Sequence, residues 1–582
     1  MLGASLALLA ALAVAQDASG PKPSGPKVEE QVVGPVKQGN QYAVSPHGAH
    51  LATVMQKGSR FVVVLDGVEG PKFDDVLSLD GGAKVLFSPD GSRTAYVGRS
   101  GQEFVVVVDG KELVRAGTPL DSYASSPVSQ LAFTSSSKHV WFMQQIHKSN
   151  QPADNYACVV FDGVAGFPGG TAPVFSPDGE HFAYVATNPR DAAQQTIVLD
   201  GKAAGYTGTD PRFTGDSQHL LVRTQIPAPN GRGQALQVLL DGKPWLKAEN
   251  ALLFVAPVGE LVAAAVQRGS QWFLVVGGKK VDSTESVGIS EVHFSPDGKH
   301  YAAQCTTAAS TCAMVVDGKR QQEYASVSNA SFSPDSSHFV YHAVMGGKTF
   351  VVIDGEESDA YIGVQEFTFG AGKRIGYLAF DNYNERAVFV DGTVTTQKSP
   401  QVSGLMFSAD GSRYAYLLGI GNVVSPVVDG VVQADLNVML LRSTMEPMPR
   451  QLVFSPDGKH LALFGAPAGN MDAAARGLIV DGKRVQAGQT FFNPTFTPDG
   501  HHLAWIRAEG PSSRTTIFVD GAQCAQFDAP TQISPSSRTW EMGDDGVLTV
   551  LGQDGEKMKR LRITPSADAS LETMLAGAAK ER

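Results

Sequence analysis

Short runs that are apolar at every position recur along this chain, and most of them end in Asp-Gly. VVVLDG ends at Gly67, VVVVDG at Gly110, VVFDG at Gly163, IVLDG at Gly201, VVIDG at Gly355 and LIVDG at Gly482, with further copies ending at Gly242, Gly318, Gly392, Gly430 and Gly521. A strand with one wet face alternates apolar and polar side chains, whereas a continuous apolar run needs cover on both faces. Asp-Gly after such a run signals a two-residue type I′ hairpin, whose central residues both need positive φ. Each run is therefore expected to be a strand buried on both sides that turns straight back into its neighbour.

A second signature interleaves with the first. FSPDG begins at Phe87, Phe175, Phe294 and Phe454, FSADG at Phe407 and FTPDG at Phe496. Looser forms begin at Val44, Phe133, Phe213, Phe254, Phe332, Thr368 and Ile533, which makes thirteen positions spaced 36 to 47 residues apart. Here Pro presets φ for the first corner of a turn, Asp accepts local backbone hydrogen bonds and Gly takes the left-handed position. Each unit reads as strand A, the Ser-Pro-Asp-Gly turn, strand B, a variable loop, strand C, the Asp-Gly turn and strand D. Radial stacking of such four-stranded antiparallel sheets covers both faces of strand C, so the predicted fold class is all-β, built as β-propellers.

One ring usually holds four to eight blades. Thirteen units therefore predict two tandem propellers of six plus seven blades, spanning 41–288 and 289–563, with a boundary near Gly288 or near Ser328. The stretch VVGPVK at 32–37 resembles VEGPK at 68–72, so the segment 16–40 is expected to be a linker that also supplies a closing strand. Residues 564–582 are left as a C-terminal tail.

Composition and charge narrow the function classes. The 582 residues carry a formal net charge of -11, with Lys and Arg dispersed, so no basic stripe is present to meet nucleic acid. Residues 1–15, MLGASLALLAALAVA, form an apolar run ending in small residues and read as a signal peptide, with a short membrane anchor as the alternative because no Lys or Arg precedes the run. No later stretch approaches the roughly 20 apolar residues of a membrane helix. The mature chain is expected to be periplasmic or secreted. In such an oxidising compartment Cys305 and Cys312, which bracket TTAAST, are expected to form a cross-hairpin disulfide, while Cys158 and Cys524 fall in apolar strand patterns.

The pattern F-S-P-D-G-x-x-x-A-Y/F resembles the WD40-like PD40 repeat found in the propellers of TolB and of prolyl-oligopeptidase-like enzymes. The resemblance covers nearly the whole mature chain and implies a propeller, on which many unrelated activities occur. No stretch reads as the N-terminal α/β domain of TolB. No G-x-S-x-G elbow is present for the hydrolase that prolyl-oligopeptidase propellers cover.

Two sets of polar residues invite a functional reading. Six places after the start of a unit stand His50, His139, His181, His219, His300, His338, His460 and His502, with Arg93, Arg374 and Arg413 in three further units. Arg cannot ligate a cation, so the expected common property is a solvent-facing basic group near the Asp of the Ser-Pro-Asp-Gly turn. The aspartates of that turn, Asp90, Asp178, Asp297, Asp335, Asp457 and Asp499, are explained together by turn capping, and no calcium loop is present. No catalytic, cofactor-binding or metal residue is assigned, and no cofactor is expected.

The sequence thus points to an exported, non-enzymatic binding or scaffolding protein for a protein or cell-envelope ligand. The alternative is a hydrolase or lyase type of propeller enzyme with its site in a central funnel. Recognition is expected on the face opposite the turns, where the connections vary: 145–157, 187–195, 224–236, 381–386, 443–451 and 465–477.

Overall fold

Strands form where the apolar runs lie and reverse where the turn chemistry places the corners. The computed structural model describes residues 25–578 except 36–40, 47, 81, 118–127, 148–154, 228–233, 372, 383–384, 396–397, 421–422, 439–451, 469–471, 473–474, 489–490, 509–513 and 529–539. Thirteen antiparallel sheets follow one another as the blades of a β-propeller. Blades 1 to 12 span 41–73, 75–117, 128–168, 174–203, 209–248, 250–286, 288–324, 326–357, 363–394, 402–432, 436–487 and 491–527. Blade 13 combines 540–564 with the N-terminal strand Lys27–Pro35, which pairs with Lys557–Thr564 as its outermost strand. The Asp-Gly corners are type I′ throughout, with φ from 45° to 52° at the eleven aspartates and 74° to 91° at the glycines.

Strand C is apolar at every position because two neighbours claim it. In blade 2, Val105 and Val107 pack toward blade 1, while Phe104, Val106 and Val108 pack toward blade 3. All five are buried, and each such burial is worth roughly 1.5–3 kcal/mol. Repeating this around the molecule gives thirteen apolar clusters, one between each pair of successive blades. The last joins blade 13 to blade 1 through Val33, Leu51, Leu551 and Met558.

This circuit differs from the six-plus-seven arrangement expected from the sequence. That arrangement needs a break near Gly288 or Ser328, but blades 6 and 7 share Leu274, Ala265, Ile289 and Cys305, and blades 7 and 8 share Met314, Tyr324, Val327 and Tyr341. It also needs the N-terminal strand to close blade 6, whose outer position is filled by its own Lys279–Ser286. Among the described residues the interfaces form one closed circuit. Ring size depends on small angles between blades, which no local motif records.

Three local departures also bear on the surface. Strand A of blade 2 is split into Asp75–Val76 and Leu86–Phe87, and that of blade 11 into Leu436–Val438 and Leu452–Phe454. The stretch 443–451 therefore interrupts an innermost strand instead of connecting two blades, and it lies outside the described residues. The first turn of blade 13 is Gly543–Val547, closed by the Gly543 amide donating to the Val547 carbonyl at 3.0 Å. The ISPSSRT motif at Ile533, read as that turn, lies outside the described residues. In the tail, the helix Leu571–Ala578 docks Leu571 and Leu575 on the apolar cluster of blades 11 and 12.

Candidate functional site

The eight histidines and three arginines in register meet the aspartates of the Asp-Gly turns. His50 lies 2.6 Å from Asp66, His139 2.6 Å from Asp162, His181 2.9 Å from Asp200 and His219 2.7 Å from Asp241. His300, His338, His460 and His502 pair in the same way with Asp317, Asp354, Asp481 and Asp520 at 2.5–2.8 Å. Arg93, Arg374 and Arg413 reach Asp109, Asp391 and Asp429 through Nε at 2.8–3.0 Å. The sequence places these cations near the Asp of the first turn. The partner is instead the Asp of the second turn, 16 to 23 residues further on, which the hairpin B–C brings back to the same face.

Each aspartate works twice. One carboxylate oxygen accepts from the His or Arg, and the other accepts from the backbone amide of the next residue, as Leu51 to Asp66 at 3.0 Å and Phe339 to Asp354 at 2.8 Å. An ionised carboxylate only accepts, so each imidazole donates through Nδ1 and turns Nε2 outward. Around Asp66 burial opposes ionisation, but the bonds from His50 and the Leu51 amide and the Arg560 charge outweigh it and hold the carboxyl low. Asp520 is the exception, because deeper burial pushes its carboxyl up against the Leu503 and His502 bonds. Facing Asp241, Asp216 and Glu260, His219 is held above the usual imidazole range, first through its bond to Asp241.

Blades 6 and 13 lack the pair for identifiable reasons. In blade 6 the turn begins one residue later than the motif read at Phe254, so the two positions are Leu261 and Gly277, fixed by the bonds from the Ala256 amide to the Leu261 carbonyl and from the Gly277 amide to the Val262 carbonyl. In blade 13 the outer strand arrives from the N-terminus, so no second turn exists to supply the carboxylate.

The first turns cap themselves and touch the next blade. Ser88, Ser176, Ser295, Ser333 and Ser455 donate to Asp90, Asp178, Asp297, Asp335 and Asp457 at 2.5–2.6 Å. Serine bonding of this kind holds the carboxyls of Asp90, Asp297 and Asp335 at about 2. At three junctions the amide of that Asp also donates to a serine of the following blade: Asp90 to Ser137, Asp178 to Ser217 and Asp297 to Ser336, at 3.0–3.1 Å. Those serines sit at φ 64° to 66°, where other blades use Gly, so the bond across the junction offsets a strained backbone. Arg374 and Arg413 add bonds to carbonyls of the next blade, Gly411 at 3.1 Å and Lys459 at 3.2 Å.

A cleft of 620 Å³ opens at the seam between blades 13 and 1, lined by His50, Glu541, Asp545, Arg560 and Arg562 among others. Its two arginines are engaged within the protein. Arg560 bonds Asp66 at 3.1 Å together with the Ala49 carbonyl and Gln31, and Arg562 lies 3.7 Å from Asp545. The seam is thus fastened by charge on one side and by Val33 and Met558 on the other.

Cys305 and Cys312 do not form the expected bridge, and all four cysteines are thiols. The register sets Cys312 opposite Thr306, so Cys305 points the other way, into the cluster between blades 6 and 7, while Cys312 packs toward blade 8. Burial pushes the Cys305 thiol up to about 11. On the opposite face, 187–195 is mostly strand around the corner Pro189–Arg190, whereas 148–154 and 228–233 lie outside the described residues. No helix among the described residues is long and apolar enough to cross a membrane.

No protein-family model and no curated protein matches the chain. Among solved structures it is similar to a eukaryotic initiation factor at 12% identity and TM-score 0.28, covering 82% of this chain and 94% of that one. It is also similar to the tricorn protease at 12% identity and TM-score 0.22, covering 83% of this chain and 62% of that one. A third is TolB from Acinetobacter baumannii, at 11% identity and TM-score 0.19, covering 60% of this chain and 80% of that one. Likenesses this distant carry no argument about activity or partner.

Proposed function

We propose that the chain is an exported binding or scaffolding protein that engages a protein or cell-envelope ligand through the face opposite its turns. The observation that supports this reading is the commitment of the turn face. Its eleven Asp-Gly carboxylates are each bonded to a His or Arg of the same blade, so the recurring polar groups there are spent on the fold. The opposite face carries the B–C and D–A connections, and their lengths and sequences vary from blade to blade. A repeated rigid body with variable connections on one side suits recognition.

The test exchanges 148–154 and 228–233 separately for Gly-Ser segments of equal length. A partner captured by the parent chain from native envelope extract is purified and titrated against each variant by calorimetry. Affinity is expected to fall at least tenfold with the melting temperature unchanged, while His338→Ala retains full affinity. Loss of affinity in His338→Ala alone would overturn the assignment. Export is tested separately, by the mass of the chain in the envelope fraction, which should lack residues 1–15.

A further inference from the structure

The junction between blades 5 and 6 is charged unlike its counterpart between blades 3 and 4. At the earlier junction Glu180 of blade 4 faces Lys138 and His139 of blade 3, with the Lys138 ammonium bonded to it and the His139 Nε2 3.9 Å away. At the later one Glu260 occupies the place of Glu180, as the matching turn bonds from the Ala256 and Ser176 amides establish. Opposite it the lysine is replaced by Gln218, and Ser136 is replaced by Asp216. One junction has an ammonium facing its carboxylate; the other has lost that ammonium and gained a second carboxylate.

The groups at the later junction converge. Asp216, His219 and Glu260 each offer a ligand atom within 4.8 Å of the others. The imidazole is already oriented toward them, because Asp241 holds Nδ1 at 2.7 Å and leaves Nε2 as the nitrogen open to a ligand. A carboxylate behind the ring of a ligating histidine is the usual outer-shell partner of a metal site. Asp216 is fixed as well, by Thr214 at 2.5 Å and the Gln218 amide at 3.1 Å. Glu260 is exposed and forms no ion pair with a Lys or Arg among the described residues.

We propose that Asp216, His219 and Glu260 bind one divalent transition-metal ion of the zinc class, bridging blades 5 and 6. One imidazole and two carboxylates with an open fourth position is a donor set that zinc accepts, while the nitrogen ligand disfavours calcium and magnesium. The ion takes the place that the Lys138 ammonium holds at the earlier junction. It also fastens blade 6, whose own turns lack the His–Asp pair.

The experiment uses the full chain, stripped with EDTA and titrated with ZnCl₂ by calorimetry and by melting temperature. The parent is expected to bind one ion per chain at this site and to melt higher when loaded. E260Q, which alters an exposed side chain, is expected to bind at least tenfold more weakly and to lose the rise in melting temperature. Q218K, which restores the lysine of the earlier junction, is expected to abolish the site while remaining folded without metal. CaCl₂ should give neither heat nor a melting shift. Equal zinc uptake by the parent, E260Q and Q218K, or no uptake by the parent, overturns the proposal.

Discussion

Blades 4 and 6 share one backbone and almost none of the motif. Blade 4 has Ser176, Asp178, His181 and Asp200; the corresponding residues of blade 6 are Ala256, Val258, Leu261 and Gly277. Even so, the first turn closes with the same bond, 2.9 Å from the Ser176 amide to the His181 carbonyl and 3.0 Å from the Ala256 amide to the Leu261 carbonyl. The second closes at 3.0 Å in blade 4 and 2.9 Å in blade 6. What the blades share beyond the turns is packing: Ala263, Ala265 and Leu274 of blade 6 face blade 7, and Val262, Ala264 and Val275 face blade 5. The apolar strands hold a blade in place, and the charged motif refines a turn that glycine and backbone bonds already make.

The comparison breaks most visibly if the core is not equivalent in the two blades. Leu274 in blade 6 and Ile197 in blade 4 are both fully buried between neighbours. Leu274→Ala and Ile197→Ala are each expected to cost about 2–5 kcal/mol, the range for large-to-alanine changes in a core. Denaturant unfolding measures both. A much smaller loss at Leu274 would mean that blade 6 is loosely held and that its missing motif matters more than its packing.

The second turn gives the next largest effect. Gly110 and Gly318 sit at φ 75° and 80°, and a Cβ at Gly110 would meet no atom within 4 Å, so the cost of a side chain there is conformational. Gly110→Val and Gly318→Val should each destabilise by about 1 kcal/mol or more, because a β-branched residue resists positive φ. The same change at Gly278 of blade 6, at φ 79°, should cost as much, although no His–Asp pair is present there. A markedly larger loss in the paired blades would show that the turn and the pair form one unit.

How far these features are legible in the sequence follows from how local they are. Ser-Pro-Asp-Gly and Asp-Gly act within four residues, so the number of blades and most of their turns and strands can be read directly, whereas the first turn of blade 13, Gly543–Val547, falls outside the motif at Ile533. The His–Asp pairs are separated by a whole hairpin, and the nearer aspartate, such as Asp178 for His181, draws the eye to the wrong turn. A clue is present in blade 6, where His and Asp vanish together as Leu261 and Gly277. Ring closure rests on Val33 meeting Met558 and Leu551 across almost the full chain: the likeness of VVGPVK at 32–37 to VEGPK at 68–72 announces a closing strand, and Lys27–Pro35 is one, but nothing in it says which blade the strand completes. The disulfide expectation assumes that two cysteines across a hairpin share a face, whereas a one-residue offset in register separates them.

A double-mutant cycle sharpens the role of the pair. In blade 4, His181→Ala and Asp200→Ala with the double variant should give a coupling of about 0.2–1 kcal/mol, since both side chains are more than one-third exposed and water screens them. Leu261→His with Gly277→Asp installs the pair in blade 6, where Asp tolerates the φ of 54° that Gly277 already has. A similar coupling there would show that the pair is portable and independent of the rest of the motif.

The smallest effect, because Asp335 is exposed and water screens its carboxylate, separates the two blade types by acid. In blade 8 the Asp335 carboxyl is held at about 2, first by its bond from the Ser333 hydroxyl and then by Ser337. An unfolded Asp titrates near 3.9, on the order of two pH units higher. A lowered pKa in the fold means that the stabilisation is fully present above the unfolded value and fades as pH falls through the folded one. The stability difference between the parent and Asp335→Asn should therefore stay constant from neutral pH down to about pH 5 and close between about pH 4 and pH 2. Blade 6 carries Val258 at this position, so Val258→Asn should leave the acid limb of the stability curve where it was. If the Asp335 gap persisted unchanged at pH 2, the carboxylate would not be what caps the turn, and in blade 8 that role would fall to the Ser333 hydroxyl, which accepts from the His338 amide at 3.0 Å, a bond that Ala256 cannot make in blade 6.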